Sequence, residues 1–415
     1  MALSIFTFSA PAEAGVPCSM GSADNAPALG TLYGSVVDTV SGKTLYSMRS
    51  AMPTPSASVL KLLTGAAALM YLPDNYRAET SVWSVDADPT AILVKAGGDL
   101  TLSRLVSPSY TTYAKPAKLA NLAAQTLAKL PPGSKIKKII IDNSYFTGRA
   151  YNPYWFASDR WNGYVSSISS FAVDAARVNP DLTDTKYSGV RVSDPAAQAA
   201  AYFRKALGPA AAGAEISFAY TPELEDVKLT SVFSAPLKVW VDHAMKVSDN
   251  TETEYLIRHV LKYATRNTNF TEIQIFVKEM LESLGISAQG LVMKDAAGLA
   301  QADRVTARLI TSLLREAAQP GSPLVELPAT LPTTSSIGTL NTRFTGANAV
   351  ARGNVQAKTG YIPGLYSLAG YVTAKDNRRL AFAFFARGAS TGTGTRTAID
   401  ALVARVYTCG IRLTK

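Results

Sequence analysis

A serine and a lysine three residues apart begin a long apolar stretch, where they could act as a nucleophile and its base. The stretch is PTPSASVLKLLTGAAALM at 53–70, and its apolar positions predict a helix that begins after Pro55 and is buried on most of its surface. Residues three apart share a helix face, so the Ser58 hydroxyl lies within reach of the Lys61 amine. Burial disfavours a charged amine, which suits it to accept a proton from the serine.

The same pair also has an ordinary interpretation, because Ser-x-x-Lys is a loose pattern. A second copy, Ser134 and Lys137 in PPGSKIKKIIID, lies in a basic segment before a predicted strand and is interpreted as solvated surface. At the first copy, Lys61 either reaches solvent at the helix end or is held in a polar site with partners. Other motifs have to decide between these alternatives.

A second motif places a serine and an asparagine between two predicted helical stretches, in KVSDNTETE. Because Ser248 and Asn250 are two residues apart, a loop can present both side chains to one side, with Asp249 turned away. The alternative is an ordinary turn that caps the following helix.

A third motif opens a predicted strand late in the chain, in NVQAKTGYIPGLYSLAGYV. Lys358 and Thr359 at a strand edge can bind a carboxylate, and Gly360 would let a substrate backbone approach closely. Taken singly, this motif is also weak. Together the three motifs are stronger evidence for a common site than each is singly, because their order and their predicted elements are consistent. Ser-x-x-Lys lies at a helix start, Ser-x-Asn between helices and Lys-Thr-Gly on a strand.

This set of motifs resembles that of the penicillin-binding proteins and serine β-lactamases. Within that superfamily, the chain is similar to the D-alanyl-D-alanine carboxypeptidase/endopeptidase family, the class C low-molecular-mass penicillin-binding proteins. The resemblance covers nearly the whole chain. It includes AGGDLTLS at 96–103, IDNSYFTG at 141–148, DAAGLAQADRVTA at 295–307 and IGTLNTRF at 337–344.

The resemblance implies a covalent mechanism that needs no cofactor and no metal. Ser58 would attack the carbonyl between two D-alanines and become acylated, while Lys61 accepts its proton. Ser248 would pass a proton to the departing amine, helped by Lys61 and Lys358. The partners implied are peptidoglycan peptides as substrate and β-lactams as inhibitors.

The resemblance also implies how the substrate is bound. Asn250 would hold an amide carbonyl of the peptide, while Lys358 and Thr359 attract its terminal carboxylate. The oxyanion hole would consist of the backbone N–H groups of Ser58 and Tyr361.

One residue departs from the family pattern, since Tyr361 follows Lys-Thr-Gly where the family usually has a second threonine. The backbone N–H survives this change, but the hydroxyl contact to a terminal carboxylate does not. Arg387, at the end of a neighbouring strand, is one candidate for a replacement charge, and a simple surface arginine is the other interpretation. The aromatic segment at 154–164 could roof the site or pack in a core.

The implied fold class is α+β: a serine β-lactamase/transpeptidase-like domain, with helices flanking an antiparallel sheet, and a mainly β inserted domain. The chain of 415 residues exceeds the size at which a single core keeps growing, so two domains are expected. The catalytic domain is predicted at 1–72 and 232–415, and the inserted domain at 73–231. Within the insertion only DPAAQAAAYFRKAL is interpreted as a clear helix, and AILVKAGGDLTLS, KIKKIIIDNSYF and ISFAYT are interpreted as strands.

Secondary-structure patterns outside the insertion are clear. The segment at 32–48 alternates apolar and polar residues around a Ser-Gly turn, which predicts a β-hairpin. LYSLAGYVTA and RLAFAFFAR predict two strong strands joined at KDNR, and TRTAIDALVARVYTC predicts a final helix.

Composition limits the other classes of function. The balance of 41 basic to 31 acidic residues gives a net charge of +10, but the basic residues are scattered and no nucleic-acid signature is found. Two cysteines exclude a cysteine-rich zinc site, and His243 and His259 are too far apart for adjacent helical turns. Cys18 and Cys409 either form a disulfide that ties the termini together or are two buried thiols.

An extracytoplasmic location, in the periplasm or cell-wall space, is expected from the resemblance and its substrate. MALSIFTFSAPAEAGVPC at the start is interpreted as the tail of an export signal, with an ordinary N-terminus as the alternative. No later apolar run is long enough and free enough of charge to span a bilayer. The oligomeric state is left open.

Two alternative functions follow from the same motifs. A class A β-lactamase needs a glutamate-positioned water for deacylation, and no Glu-x-x-x-Asn loop lies between the first two motifs, where Glu79, Glu215, Glu223 and Glu225 occupy strand or turn contexts. We therefore expect slow deacylation and trapping by penicillins. The other alternative is an inactive relative that only binds cell-wall peptide. An esterase on another fold would need a histidine-based triad or Gly-x-Ser-x-Gly, and neither is apparent.

Overall fold

The structure is a computed structural model that describes residues 17–105, 113, 115–180, 189–220, 227–334, 338–388 and 392–414. The export-signal interpretation falls largely outside these residues, as do Glu223 and Glu225.

The strands are β1 Thr31–Asp38, β2 Thr44–Met48, β3 Glu79–Ser84, β4 Ala91–Ala96, β5 Lys138–Asp142, β6 Glu215–Phe218, β7 Lys228–Phe233, β8 Val355–Ile362, β9 Leu365–Thr373 and β10 Arg379–Arg387. The α-helices are α1 Lys61–Tyr71, α2 Leu119–Lys129, α3 Ala157–Trp161, α4 Pro195–Ala206, α5 Leu237–Val247, α6 Asn250–Tyr263, α7 Phe270–Ser283, α8 Ala307–Ala317 and α9 Thr393–Cys409.

The first sheet has the strand order β2-β1-β10-β9-β8, and all of its pairs are antiparallel. The predicted hairpin at 32–48 is β1 and β2, and the two strong strands predicted near the end of the chain are β9 and β10. Because side chains alternate along a strand, Ala383 and Phe385 of β10 join one apolar cluster, and Phe382 and Phe384 join another on the opposite face. Helices cover both faces, which confirms the predicted antiparallel sheet flanked by helices.

The second sheet has the order β6-β5-β4-β3-β7 and mixes antiparallel pairs with parallel ones. Its strands include the three predicted in the insertion, and α4 is the predicted helix. The structure adds two helices that were not predicted, α2 and the short α3. Since β4 and β5 are parallel, the chain needs a crossover connection between them, and α2 lies in it. We propose that this sheet and its helices form the inserted domain predicted at 73–231, with β7 extending beyond that boundary to Phe233.

Helix α1 lies in the largest apolar cluster, where it packs against α5 and α6. A 3-10 turn at Ala57–Leu60 precedes it, so Ser58 lies on that turn and the α-helix itself begins at Lys61. Ala57 has a φ of 47°, a left-handed conformation that non-glycine residues rarely adopt. The polypeptide therefore bends sharply immediately before the serine.

Cys18 and Cys409 form a disulfide, so the alternative of two buried thiols is wrong. The bond joins the segment before β1 to the last residue of α9, and the backbone N–H of Cys18 donates to the Arg412 carbonyl at 3.0 Å. Within the described residues, none of the helices combines the length and apolar composition that a membrane crossing needs.

Candidate active site

The three predicted motifs meet at one cavity of about 700 Å³. Six of their side chains or backbone segments line it: Ser58, Ser248, Asn250, Thr359, Gly360 and Tyr361. The two lysines of the motifs, Lys61 and Lys358, lie behind this wall and are fully buried. The structure thus brings together all eight residues that the sequence analysis selected.

Lys61 is held in a polar site with partners, one of the two alternatives considered for it. Its Nζ donates hydrogen bonds to Ser58 Oγ at 2.9 Å, to Asn250 Oδ1 at 2.6 Å and to the Ala297 carbonyl at 2.7 Å. The orientation of the Asn250 amide follows from its Nδ2, which donates to the Tyr164 carbonyl at 3.0 Å.

The three partners determine where a neutral Lys61 amine points its lone pair. Asn250 Oδ1 and the Ala297 carbonyl can only accept hydrogen bonds, so the two N–H groups of a neutral amine are directed to them. The lone pair is left facing Ser58 Oγ, the one partner that can donate. A neutral Lys61 is therefore oriented to accept the hydroxyl proton of Ser58.

Burial lowers the pKa of Lys61 from 10.5 to about 8, although the nearby carboxylates of Asp295, Asp249 and Glu254 oppose the shift. Desolvation disfavours the ammonium, while the carboxylates favour it. The neutral amine is consequently available near neutral pH, as a general base requires.

The Ala297 carbonyl is positioned by a buried loop after α7. Glu254 Oε1 accepts hydrogen bonds from the backbone N–H groups of Ala296 and Ala297 at 2.7 and 3.0 Å, and its other oxygen pairs with Arg258 at 3.0 Å. Gly298 of the same loop has a φ of 76°, and a Cβ there would lie 2.0 Å from the Ala57 carbonyl. The loop therefore packs directly against the turn that carries Ser58.

The second motif presents its serine and asparagine to the cavity, as their spacing predicts. Ser248 ends α5 with a φ of 66°, and its Oγ accepts a hydrogen bond from Lys358 Nζ at 2.8 Å. Asp249 is turned away and buried, where it caps α6 by accepting from the Glu252 N–H at 3.0 Å and also accepts from the Tyr113 hydroxyl at 3.0 Å. The helix cap is thus Asp249, which leaves the other two residues for the cavity.

The third motif lies on β8, the edge strand of the first sheet. Thr359 Oγ1 donates to Thr339 Oγ1 at 2.8 Å. A Cβ on Gly360 would lie 2.2 Å from Ser367 Oγ and 3.0 Å from the backbone nitrogen of Ser58. The close neighbour that this glycine admits is the protein's own serine turn, where the sequence analysis expected a substrate backbone.

Arg387, considered as a replacement charge for the substrate carboxylate, and the aromatic segment at 154–164, considered as a roof over the site, lie in different places. Tyr361 is 48% exposed, and its ring lies 4.7 Å from the ring of Tyr366. Arg387 is exposed at the end of β10 and does not line the cavity formed by the described residues. In the aromatic segment, Phe156 lines the cavity, whereas Trp155 is buried and donates to Asp295 Oδ2 at 2.7 Å. Both interpretations of that segment thus hold for part of it.

Further residues that were not selected from the sequence also line the cavity, among them Thr339, Arg343 and Arg396. The first two lie in the segment IGTLNTRF, whose resemblance to the family was the available signal. Arg396 lies in the first two turns of α9, where nothing in the sequence distinguishes it from other exposed basic residues.

The sequence matches the D-Ala-D-Ala carboxypeptidase 3 (S13) family over residues 20–190 and 180–407. It is 32% identical over 406 residues to the carboxypeptidase DacB of Mycolicibacterium smegmatis, covering 96% of this chain and 85% of the relative.

A crystal structure of penicillin-binding protein 4 from Haemophilus influenzae shares the fold, with a TM-score of 0.73 at 21% identity, covering 91% of this chain and 95% of that one. A structure of the same protein complexed with a β-lactam has a TM-score of 0.71 at 20% identity, with 91% and 96% covered. These likenesses confirm the predicted α+β fold. By the family match and the relative together, this chain belongs to the S13 family of serine D-Ala-D-Ala carboxypeptidases.

Proposed function

We propose that the protein cleaves the D-alanyl-D-alanine end of peptidoglycan stem peptides through an acyl-enzyme on Ser58, and that β-lactams acylate the same serine. The observation that carries the proposal is the environment of Lys61, because two obligate acceptors leave its lone pair facing Ser58 Oγ. Membership of the S13 family and the β-lactam complex of a structural neighbour support it.

In the proposed acylation, the Ser58 oxygen bonds to the carbonyl carbon while its proton moves to Lys61 Nζ. The carbon–nitrogen bond then breaks, and the proton held by Lys61 passes through Ser248, whose Oγ lies 2.8 Å from Lys358 Nζ, to the leaving amine. Water hydrolyses the resulting ester, releases the shortened peptide and returns a proton to Ser58. Every protein group in this series of steps is a side chain of the three motifs.

Substrate binding is assigned to the remaining motif residues. Asn250, fixed between Lys61 and the Tyr164 carbonyl, is placed to meet an amide of the peptide. The terminal carboxylate is assigned to the Lys358 and Thr359 end of the cavity. The backbone N–H groups of Ser58 and Tyr361 are the proposed oxyanion hole. Gly360 allows the segments that carry them to approach closely, because it has no Cβ.

Slow deacylation is proposed over β-lactamase activity. Glu79 pairs with Lys228 at 2.7 Å on the second sheet, and Glu215 is exposed on β6. Neither glutamate lines the cavity, so neither can position a deacylating water there. A penicillin should therefore remain attached to Ser58 for much longer than a peptide.

Intact-mass spectrometry after incubation with benzylpenicillin tests the proposal, with the wild type compared with Ser58→Ala. We expect a stable adduct on the wild type and none on the variant. Ser134→Ala is the matched control, because Ser134 and Lys137 repeat the sequence pattern at the surface and should leave the adduct unchanged. An unmodified wild type together with intact drug would instead support an inactive binder, and rapid drug turnover would support a β-lactamase.

The same protein preparation can separate the two peptidase activities. Free pentapeptide and a cross-linked peptide dimer present the same D-alanyl carbonyl with different leaving amines. Incubation with each, followed by chromatography of the products, measures carboxypeptidase and endopeptidase activity separately.

An extracytoplasmic location is proposed alongside, because a disulfide between Cys18 and Cys409 persists in oxidising compartments.

A further inference from the structure

One cavity arginine has its charge neutralised within the protein, and another does not. Arg343 is buried, and its guanidinium contacts the carboxylate of Asp400 at 2.6 Å and 3.0 Å. Arg396 lies one turn before Asp400 on α9, is partly exposed and lines the cavity. Among the described residues, the side chain of Arg396 makes no hydrogen bond or ion pair, so its positive charge is available to a ligand.

Arg396 and the third motif line the same cavity. Thr359 Oγ1 contacts Thr339 Oγ1 at 2.8 Å, and the segment that carries Thr339 continues to Arg343. Arg343 Nη2 in turn donates to the backbone carbonyl of Arg396 at 3.4 Å. This chain of contacts connects the carboxylate-binding end of β8 with the beginning of α9.

The other groups in the cavity do not satisfy Arg396. Asp159 also lines the cavity, but its Oδ2 accepts from the Phe156 N–H at 2.9 Å at the start of α3. The Asp400 carboxylate is occupied by Arg343. The cavity therefore presents a guanidinium with no carboxylate of the described protein paired to it.

We propose that Arg396 binds the C-terminal carboxylate of the stem peptide and so replaces the contact that a second threonine makes in the family, at the position that Tyr361 occupies here. The inference rests on the proposed function and adds a residue that determines substrate specificity. A guanidinium donates two parallel hydrogen bonds to a carboxylate, a stronger contact than one threonine hydroxyl provides. The carboxylate contact that is lost at Tyr361 of β8 is thus offset by Arg396 of α9. Arg387, the candidate from the sequence, is not needed for it.

The test compares two substrates of the same serine in the wild type and in Arg396→Gln. One is a peptide ending in D-Ala-D-Ala with a free carboxylate, and the other is the p-nitrophenyl ester of N-acetyl-D-alanine, which has no carboxylate. We expect kcat/KM for the peptide to fall by about 10-fold to 100-fold, mainly through KM, because a charged hydrogen bond is lost. Hydrolysis of the ester should change by less than about twofold. Arg387→Gln is the control and should match the wild type on both substrates.

Rescue provides the second arm of the test. The double variant Tyr361→Thr with Arg396→Gln restores a hydroxyl after Lys-Thr-Gly and should recover most of the activity on the peptide. Equal loss on peptide and ester in Arg396→Gln, or no loss on either, would overturn the role of Arg396. If the wild type cleaves neither substrate, the proposed function itself fails, and the variants are not needed to decide this.

Discussion

Lys61 shows how burial can lower the pKa of a common side chain. The amine has no solvent exposure, yet each of its three hydrogen-bonding directions has a partner. Such an arrangement stabilises a buried lysine in either protonation state, because the Ser58 hydroxyl can accept from the ammonium or donate to the amine. The serine is the only one of the three partners that can change its role. Proton transfer between these two residues consequently needs no rearrangement of the others.

The rate of acylation by benzylpenicillin should depend on pH through Lys61. The pKa of this amine is lowered to about 8, so its neutral fraction rises as the pH increases toward that value. We expect the second-order rate constant to rise by about tenfold per pH unit below pH 7 and to level off above about pH 9. Stopped-flow or quenched mass measurements between pH 6 and pH 10 provide the profile. A rate that is flat over this range would contradict the role of Lys61 as the base.

At the scale of elements, the site depends on a close contact between strand β8 and the 3-10 turn Ala57–Leu60. A Cβ on Gly360 of β8 would lie 3.0 Å from the backbone nitrogen of Ser58, and on the neighbouring strand β9 the Ser367 hydroxyl donates to the carbonyl of Ser56, immediately before the turn, at 2.6 Å. The turn thus receives its position from the sheet, while α1 continues from it into the helical core. This contact sets the distance between Ser58, the proposed nucleophile, and the Lys-Thr-Gly motif.

Gly360→Ala should therefore damage both stability and acylation. The added Cβ would meet Ser367 Oγ at 2.2 Å and the Ser56 carbonyl at 2.8 Å, so the strand or the turn has to move. We expect a loss of about 1–3 kcal/mol in the free energy of unfolding, together with a fall of at least about tenfold in acylation rate. Urea unfolding and the penicillin assay measure the two effects.

Gly394→Ala is the matched control for that variant. A Cβ at Gly394, in the first turn of α9, has its nearest neighbour at 3.9 Å, which is ordinary van der Waals contact. Alanine in a helix should leave stability unchanged or raise it slightly. If Gly360→Ala behaved like this control, the contact between β8 and the serine turn would not position the nucleophile.

The insertion shows where element prediction from sequence was incomplete. The buried positions Leu119, Leu122, Ala123 and Thr126 of α2 have helical spacing, but four of the eleven residues from Leu119 to Lys129 are alanine, which leaves only a modest apolar face. A long connection that contains α2 is needed because β4 pairs with β5 in parallel. Two antiparallel strands could be joined by a short turn and would need no such helix. Strand direction is a tertiary property, so the sequence pattern alone did not reveal it.

At the scale of the whole molecule, the disulfide joins positions near the two ends of the described chain. Cys18 and Cys409 are separated by 391 positions, and Cys409 lies roughly 20 Å along α9 from Arg396, given the rise of a helix. The bond therefore closes nearly the whole chain while lying at the opposite end of α9 from the cavity. We expect it to stabilise the fold without taking part in the chemistry.

Replacement of both cysteines by serine should lower the free energy of unfolding by about 2–5 kcal/mol. The physical reason is that the unbridged unfolded chain gains conformational freedom. Thermal and urea unfolding measure the effect, and the reduced wild type is the control for the serine side chains. Acylation by benzylpenicillin at a temperature where the variant is folded should match the wild type. A large loss of acylation in the folded variant would show that the disulfide positions the site.

The sequence by itself determined the spacing of Ser58 and Lys61, the order of the three motifs and, through its resemblance to the penicillin-binding proteins, the α+β class. The spacing of the pair is set by one turn of backbone, and the strand and helix patterns could be predicted because their periodicities are local. Only the tertiary structure decided that Asn250 and the Ala297 carbonyl complete the partners of Lys61, that Lys358 meets Ser248, and that Arg396 rather than Arg387 lines the cavity. These contacts join residues far apart in the chain, and such pairs are fixed by how the helices and sheets pack.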